Sequence, residues 1–112
     1  MLNKKFRFHS RGGVKYTYQK GKTIRTPHLS LVYNHNSRGY QRFAVVISKK
    51  VIKSAVGRNR VRRRLYEAIR LELPTYQATN DHIFVVYHKA LRDLPFTELR
   101  ALVHSLLEQS MI

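Results

Sequence analysis

Three stretches of the chain hold apolar and β-branched residues in runs of strand length: "HLSLVYN" (28–34), "QRFAVVISK" (41–49) and "DHIFVVYHK" (81–89). Between the first two, "HNSRGY" supplies the Asn, Ser and Gly of a loop, so the pattern predicts a β-hairpin there. "KTIRT" (22–26) predicts a shorter strand before Pro27. Two other stretches repeat at helical spacing. On a helix at about 100° per residue, positions 55–73 gather Val61, Leu65, Ala68 and Ile69 within about 100° of arc, and Ser54 is available to cap. The same placement sets Asn59, Arg63, Tyr66 and Arg70 on the opposite side, with Arg62 and Arg64 flanking the stripe. After Pro95, Leu99, Leu102, Val103, Leu106 and Leu107 recur in the same way and are expected in the core.

"VKYTYQK" (14–20) reads two ways. As a helix it sets Val14 and Tyr18 one turn apart and stops at Gly21; as a strand the same residues alternate. Residues 1–13 read as a basic, poorly structured arm ending in Gly12-Gly13. With the helical option the order is α-β-β-β-α-β-α: one α+β domain over residues 14–112, a sheet packed with helices.

Composition narrows the class. A chain of 112 residues suits one domain with a modest core, and the lack of cysteine removes disulfides and thiolate metal sites. "MLNKKFRFHSRGG" has no apolar signal-peptide run and no stretch approaches a membrane span, so a soluble, cytoplasmic chain is expected. The histidines at 9, 28, 35, 82, 88 and 104 show neither H-x-x-x-H nor H-E-x-x-H spacing, which disfavours a metal site. His82 and His88 bracket a strand and are expected at its ends.

Charge then points to a partner. The net charge is +16, and all six acids lie after Tyr66. Residues 1–66 hold eighteen bases and no acid; the rest hold four bases against six acids, or −2. Such self-repulsion is relieved by a polyanion, and nucleic acid is the natural one because its phosphates release counterions when neutralised. Positions 58–64 hold five arginines and no acid, whereas a merely solvated helix face alternates in sign. Arginine's planar fork grips phosphate bidentately, and the Asn59 amide suits a sugar hydroxyl or base edge. A membrane surface is disfavoured for want of a strongly apolar helix face or a lipidation motif. Helix-turn-helix DNA binding is disfavoured because strands flank the basic helix, and a protein-only nuclease because no carboxylates cluster. A ribosomal or other structural RNA-binding protein stays open.

One resemblance sharpens this. "SKKVIKSAVGRNRVRRRLYEAIR" (48–70) resembles the signature of the bacterial ribonuclease P protein subunit: a Ser-Lys-Lys strand end, a short connection, then Arg-Asn-Arg entering a basic helix. The match covers Ser48, Lys49, Lys50, Val51, Ala55, Val56, Arg58, Asn59, Arg60, Val61, Arg63, Leu65, Glu67 and Ala68. An aromatic-bearing first helix ended by Gly21, a hairpin before the motif, and a strand plus amphipathic helix after it extend the resemblance over nearly the whole chain. It implies a four-stranded α+β fold like the second domain of ribosomal protein S5. It also implies a subunit of the endonuclease that removes the 5′ leader of precursor tRNA, leaving a 5′-phosphate and a 3′-hydroxyl. In that family the RNA is catalytic and positions the magnesium ions. The protein is then expected to hold no catalytic residue and no cofactor of its own. Its partners would be the ribonuclease P RNA, as a one-to-one complex with a protein monomer, and precursor tRNA.

Carried over residue by residue, the resemblance assigns Lys49, Lys50, Lys53, Arg58, Asn59, Arg60, Arg62 and Arg63 to the RNA subunit. It places the leader between the sheet and the first helix. There Tyr18 matches the family's second aromatic, and Val14 stands where the first would be. Val32 stands where the second strand commonly offers Tyr; its neighbour Tyr33 points to the other face by alternation. Tyr16 is a neighbouring helical position able to compensate.

Overall fold

The computed structural model describes residues 2–8, 11–76 and 79–111, with the backbone alone at 11 and 12. Its elements follow the expected order: α1 (Arg11–Lys20), β1 (Lys22–Arg25), β2 (Leu29–His35), β3 (Arg42–Ile47), α2 (Ala55–Glu72), β4 (Asn80–Val86) and α3 (Phe96–Ser110). The ambiguous segment 14–20 is therefore helical. It is α+β, with one mixed four-stranded sheet.

Strand pairing departs from the expected hairpin. The sheet order is β1-β2-β4-β3, so β4 lies between β2 and β3. β2 pairs antiparallel with β1 and β4, while β3 pairs with β4 in parallel. The hairpin is β1–β2, closed where the Thr26 amide donates to the Leu29 carbonyl at 3.0 Å. The reason lies in β4: "DHIFV" is buried on both faces over most of its length and takes a central place. β3 then reaches it only through a helical crossover, which α2 provides. The loop "HNSRGY" is real, but loop chemistry does not say whether the strands it joins are neighbours.

One face of the sheet (Leu29, Leu31, Phe43, Val45, Ile47, Phe84, Val86) packs against α2 and α3 to form the main core. α2 begins at Ser54, whose Oγ accepts from the Gly57 amide at 3.2 Å, and Val61, Leu65, Ala68 and Ile69 are wholly buried as expected. Leu99, Val103, Leu106 and Leu107 of α3 meet them, with Leu102 partly buried at the margin. The other face carries a smaller cluster of Phe8, Val32, Ala44 and Ile83, with Val14, Val46 and Val85 around it.

Four readings change. Residues read as a loose arm pack on the domain: Leu2 and Phe8 are buried, Lys4–Phe6 form a 3₁₀ turn, and the Phe8 amide donates to the Phe43 carbonyl at 3.0 Å. α1 accordingly begins at Arg11 rather than Val14. Leu2, Phe6 and Phe8 are interleaved with bases, which masked their apolar content. Tyr66, placed opposite the stripe, is buried.

His82 is inside β4 and wholly buried rather than at its end. Its ring stacks on Phe43 with centroids 4.4 Å apart, and its Nδ1 donates to the Arg42 carbonyl at 3.0 Å. Nε2 takes the hydroxyl of Tyr76, which lies 3.1 Å from Ser110 Oγ. Burial pushes the imidazole down to about 4, against the opposing hydrogen bond to Arg42 and the charge of Asp81.

Gly21 ends α1, its amide donating to the Thr17 carbonyl at 2.8 Å, but not through a left-handed conformation: among the described residues only Gly39 has positive φ. A Cβ at Gly21 would sit 2.5 Å from the Thr17 oxygen and 2.7 Å from the Tyr33 oxygen. Close approach of helix to strand requires the glycine.

Candidate nucleic-acid interface

β3 is an edge strand, and what covers its outer side shapes the site. Arg7 and Phe8 pair with it at Phe43. Beyond that point α2 meets the edge, and its Tyr66 lines one cleft with Ala44, Val45 and Val46 of β3. This explains the burial of Tyr66. Desolvation raises its hydroxyl pKa, and the charges of Arg7 and Arg62 together with the nearby Val45 backbone oppose the rise.

Between the N-terminal segment, α1, β3 and α2 lies a cleft of about 580 Å3. Its floor is apolar (Phe8, Val14, Ala44, Val46), and its rim carries Arg7, Asn59, Arg62 and Arg63. No carboxylate is among the described residues lining it. The cleft thus joins members of two groups that were expected to act separately. Val14 comes from the leader set; Asn59, Arg62 and Arg63 come from the RNA-subunit set.

The other assigned residues lie elsewhere. Lys49 and Lys50 are exposed in the turn after β3, and Lys53 is exposed just before α2. Arg60 is exposed on α2. Arg58 folds back, its Nη1 donating to the carbonyls of Ile52 at 2.9 Å and Lys53 at 2.8 Å, so it holds the connection that precedes its own helix. Tyr18 is exposed on α1; partial burial, then the nearby Tyr87, raise its hydroxyl pKa. Val32 is 4% exposed and belongs to the small cluster beneath α1. Tyr33 packs against the main core on the opposite face, as alternation requires. It shares no surface with Val14, so the four leader residues do not form one site.

Two arginines behave as their local sequence did not indicate. Arg7, read as part of the arm, contributes a guanidinium whose Nε is buried without a hydrogen-bond partner among the described residues. Its Cζ lies 5.7 Å from the Tyr66 ring centre. The alternation Phe6-Arg7-Phe8 beside Leu2 was the signal available for it. Arg64, flanking the stripe within the densest run of charge, faces away from the cleft. It donates to the carbonyls of Leu91 (2.6 Å), Arg92 (2.8 Å) and Leu94, and burial lowers its pKa. It fastens the turn before α3.

Among the described residues no group of three His, Asp or Glu is placed to hold a metal ion, and no helix is long and apolar enough to cross a membrane.

Solved proteins share this architecture. The RNase P protein of Staphylococcus aureus, in a mutant described as defective in mRNA degradation, superposes with a TM-score of 0.84 at 19% identity, covering 96% of this chain and 90% of that one. The RNase P protein of Thermotoga maritima gives 0.83 at 20% identity over 92% and 96%. The fold is therefore the α+β fold of RNase P proteins. In sequence, the Ribonuclease P family profile matches residues 2–111. The ribonuclease P protein component of Chloroflexus aurantiacus is 38% identical over 94 residues, 84% of this chain and 69% of that protein. That of Vibrio cholerae is 31% identical over 98 residues, 88% and 81%. The chain belongs to the ribonuclease P protein component family, as the motif at 48–70 indicated.

Proposed function

We propose that this chain is the protein subunit of a ribonuclease P, binding both the catalytic RNA and the single-stranded 5′ leader of precursor tRNA. It would assist endonucleolytic removal of that leader. The observation that carries the reading is the cleft: three guanidinium groups and one amide around an apolar floor. A single strand presents both surfaces such a cleft complements, phosphates for the arginines and base faces for the floor. Lys49, Lys50, Lys53 and Arg60, exposed outside the cleft, add positive surface for the RNA subunit.

The chemistry is assigned to the RNA. Arginine stays protonated and makes a poor general base, and no carboxylate is among the described residues lining the cleft. The protein's contribution is to bind, orient and screen charge. In this reading it acts in the cytoplasm as a monomer, one copy per RNA.

The test combines purified protein, a bacterial ribonuclease P RNA and a precursor tRNA at low magnesium. Protein should stimulate 5′ processing, and Arg63→Gln should weaken the stimulation. No stimulation with an RNA shown to be active alone at high magnesium would leave the alternative, a structural RNA-binding protein without a role in cleavage.

A further inference from the structure

We infer that a second groove, beside Tyr16, binds the next part of the same single-stranded RNA as it leaves the main cleft. This inference rests on the proposed function and extends it by one site. The groove holds about 540 Å3 on the other flank of α1, bordered by Tyr16, Asn34, His35, Asn36, Arg38 and Arg42. Tyr16 is 56% exposed, the most exposed aromatic among the described residues. It offers a ring face to solvent in a protein of net charge +16.

The back wall of the groove is already built. Asp81 receives Arg42 through two hydrogen bonds and Asn36 through a third, so its charge is matched before any ligand arrives. The Arg38 amide donates to Asn36 Oδ1 at 2.9 Å, which shapes the turn that carries the Arg38 guanidinium at the mouth. Tyr16, Asn34 and Arg38 are then the groups that meet a ligand: a ring to stack a base, an amide for its edge and a cation for its phosphate.

Position ties this groove to the first. α1 lines the main cleft through Val14 and this groove through Gly13 and Tyr16. β3 lines the groove at Arg42 and the cleft from Ala44 to Val46. Two to four residues of strand span roughly 7–13 Å, which a nucleotide or two of extended chain covers. An unstacked single strand therefore reaches both; a duplex does not offer its base faces to either.

The experiment measures binding of the full chain to oligouridylates of increasing length by fluorescence anisotropy. Wild type should gain affinity once the strand outgrows the main cleft. Tyr16→Ala should remove that gain, roughly tenfold on long strands, with little change on short ones, whereas Tyr16→Phe should keep it. Arg38→Gln should lower the salt dependence on long strands only, by about one phosphate contact. Because Tyr16 is exposed, its variants should melt as wild type does. Equal effects of Tyr16→Ala on short and long strands, or none, would overturn the second groove while Arg63→Gln still weakened short strands. If Arg63→Gln left short strands unaffected, the proposed function itself would fall, and the groove with it.

Discussion

Arg42 and Asp81, register partners across the parallel β3–β4 pair, meet through two hydrogen bonds: Nε to Oδ1 at 2.8 Å and Nη2 to Oδ2 at 2.7 Å. Asn36 adds a third at 2.8 Å. Burial alone would raise the Asp81 carboxyl, but the hydrogen bonds and charge of Arg42, with Asn36, outweigh it and hold the pKa below its usual value. A depressed carboxylate stabilises the fold above its unfolded pKa, and that stability is lost as pH falls through the lower folded value. Asp81→Asn should cost roughly 1–3 kcal/mol at neutral pH, measured by urea denaturation, and less in strong acid. A penalty unchanged in acid would mean that the carboxylate charge is not the cause.

His82 gives an acid sensitivity of a different kind. It is neutral in the folded protein, with its pKa pushed to about 4, whereas in the unfolded chain it titrates near 6.5. Between those values the unfolded state binds the extra proton, so stability rises with pH and falls as pH drops from about 6.5 to 4. The expected loss is on the order of 3 kcal/mol. His82→Gln should be less stable at pH 7, yet nearly flat across this window. A variant that retained the full slope would place the titration elsewhere.

Arg63 and Arg64 are neighbours in sequence with opposite roles. Arg64 satisfies three backbone carbonyls of the turn before α3. Arg64→Met, which keeps the stem, should cost roughly 1–3 kcal/mol in denaturant melts and leave the salt dependence of RNA binding as it was. Arg63→Gln should do the reverse: wild-type stability, weaker binding and a salt slope lower by about one. Matching effects of the two variants would contradict the geometry.

Arg7 belongs with the cleft residues. It lines the cleft with Arg62, so the exposed part of its guanidinium is placed to meet a phosphate there. Arg7→Gln should weaken RNA binding and lower the salt slope by about one, in an anisotropy titration over a range of salt. Loss of melting temperature without loss of RNA affinity would instead assign Arg7 to packing against Tyr66.

Much of this protein is written in local spacing. Val61, Leu65, Ala68 and Ile69 had to share a helix face, and they face the core because a helix repeats every 3.6 residues wherever it lies. The opposed faces of Val32 and Tyr33 followed from the two-residue period of a strand, and membership of the family from the order of Ser-Lys-Lys and Arg-Asn-Arg. None of these required knowing what packs on what.

Everything that depended on a partner distant in sequence waited for the tertiary structure. β4 enters between β2 and β3 because its apolar run needs burial on both faces, a competition among strands that no single segment records. That insertion leaves β3 at the edge. The edge draws in Phe8 and Tyr66, sets Arg7 into the cleft and joins Val14 to Asn59, Arg62 and Arg63. Arg64 and Arg63 carry the same side chain and differ only in direction. Residue type told how an arginine binds; the packing of α2 on the sheet decided which of them lines the cleft and which holds the turn before α3.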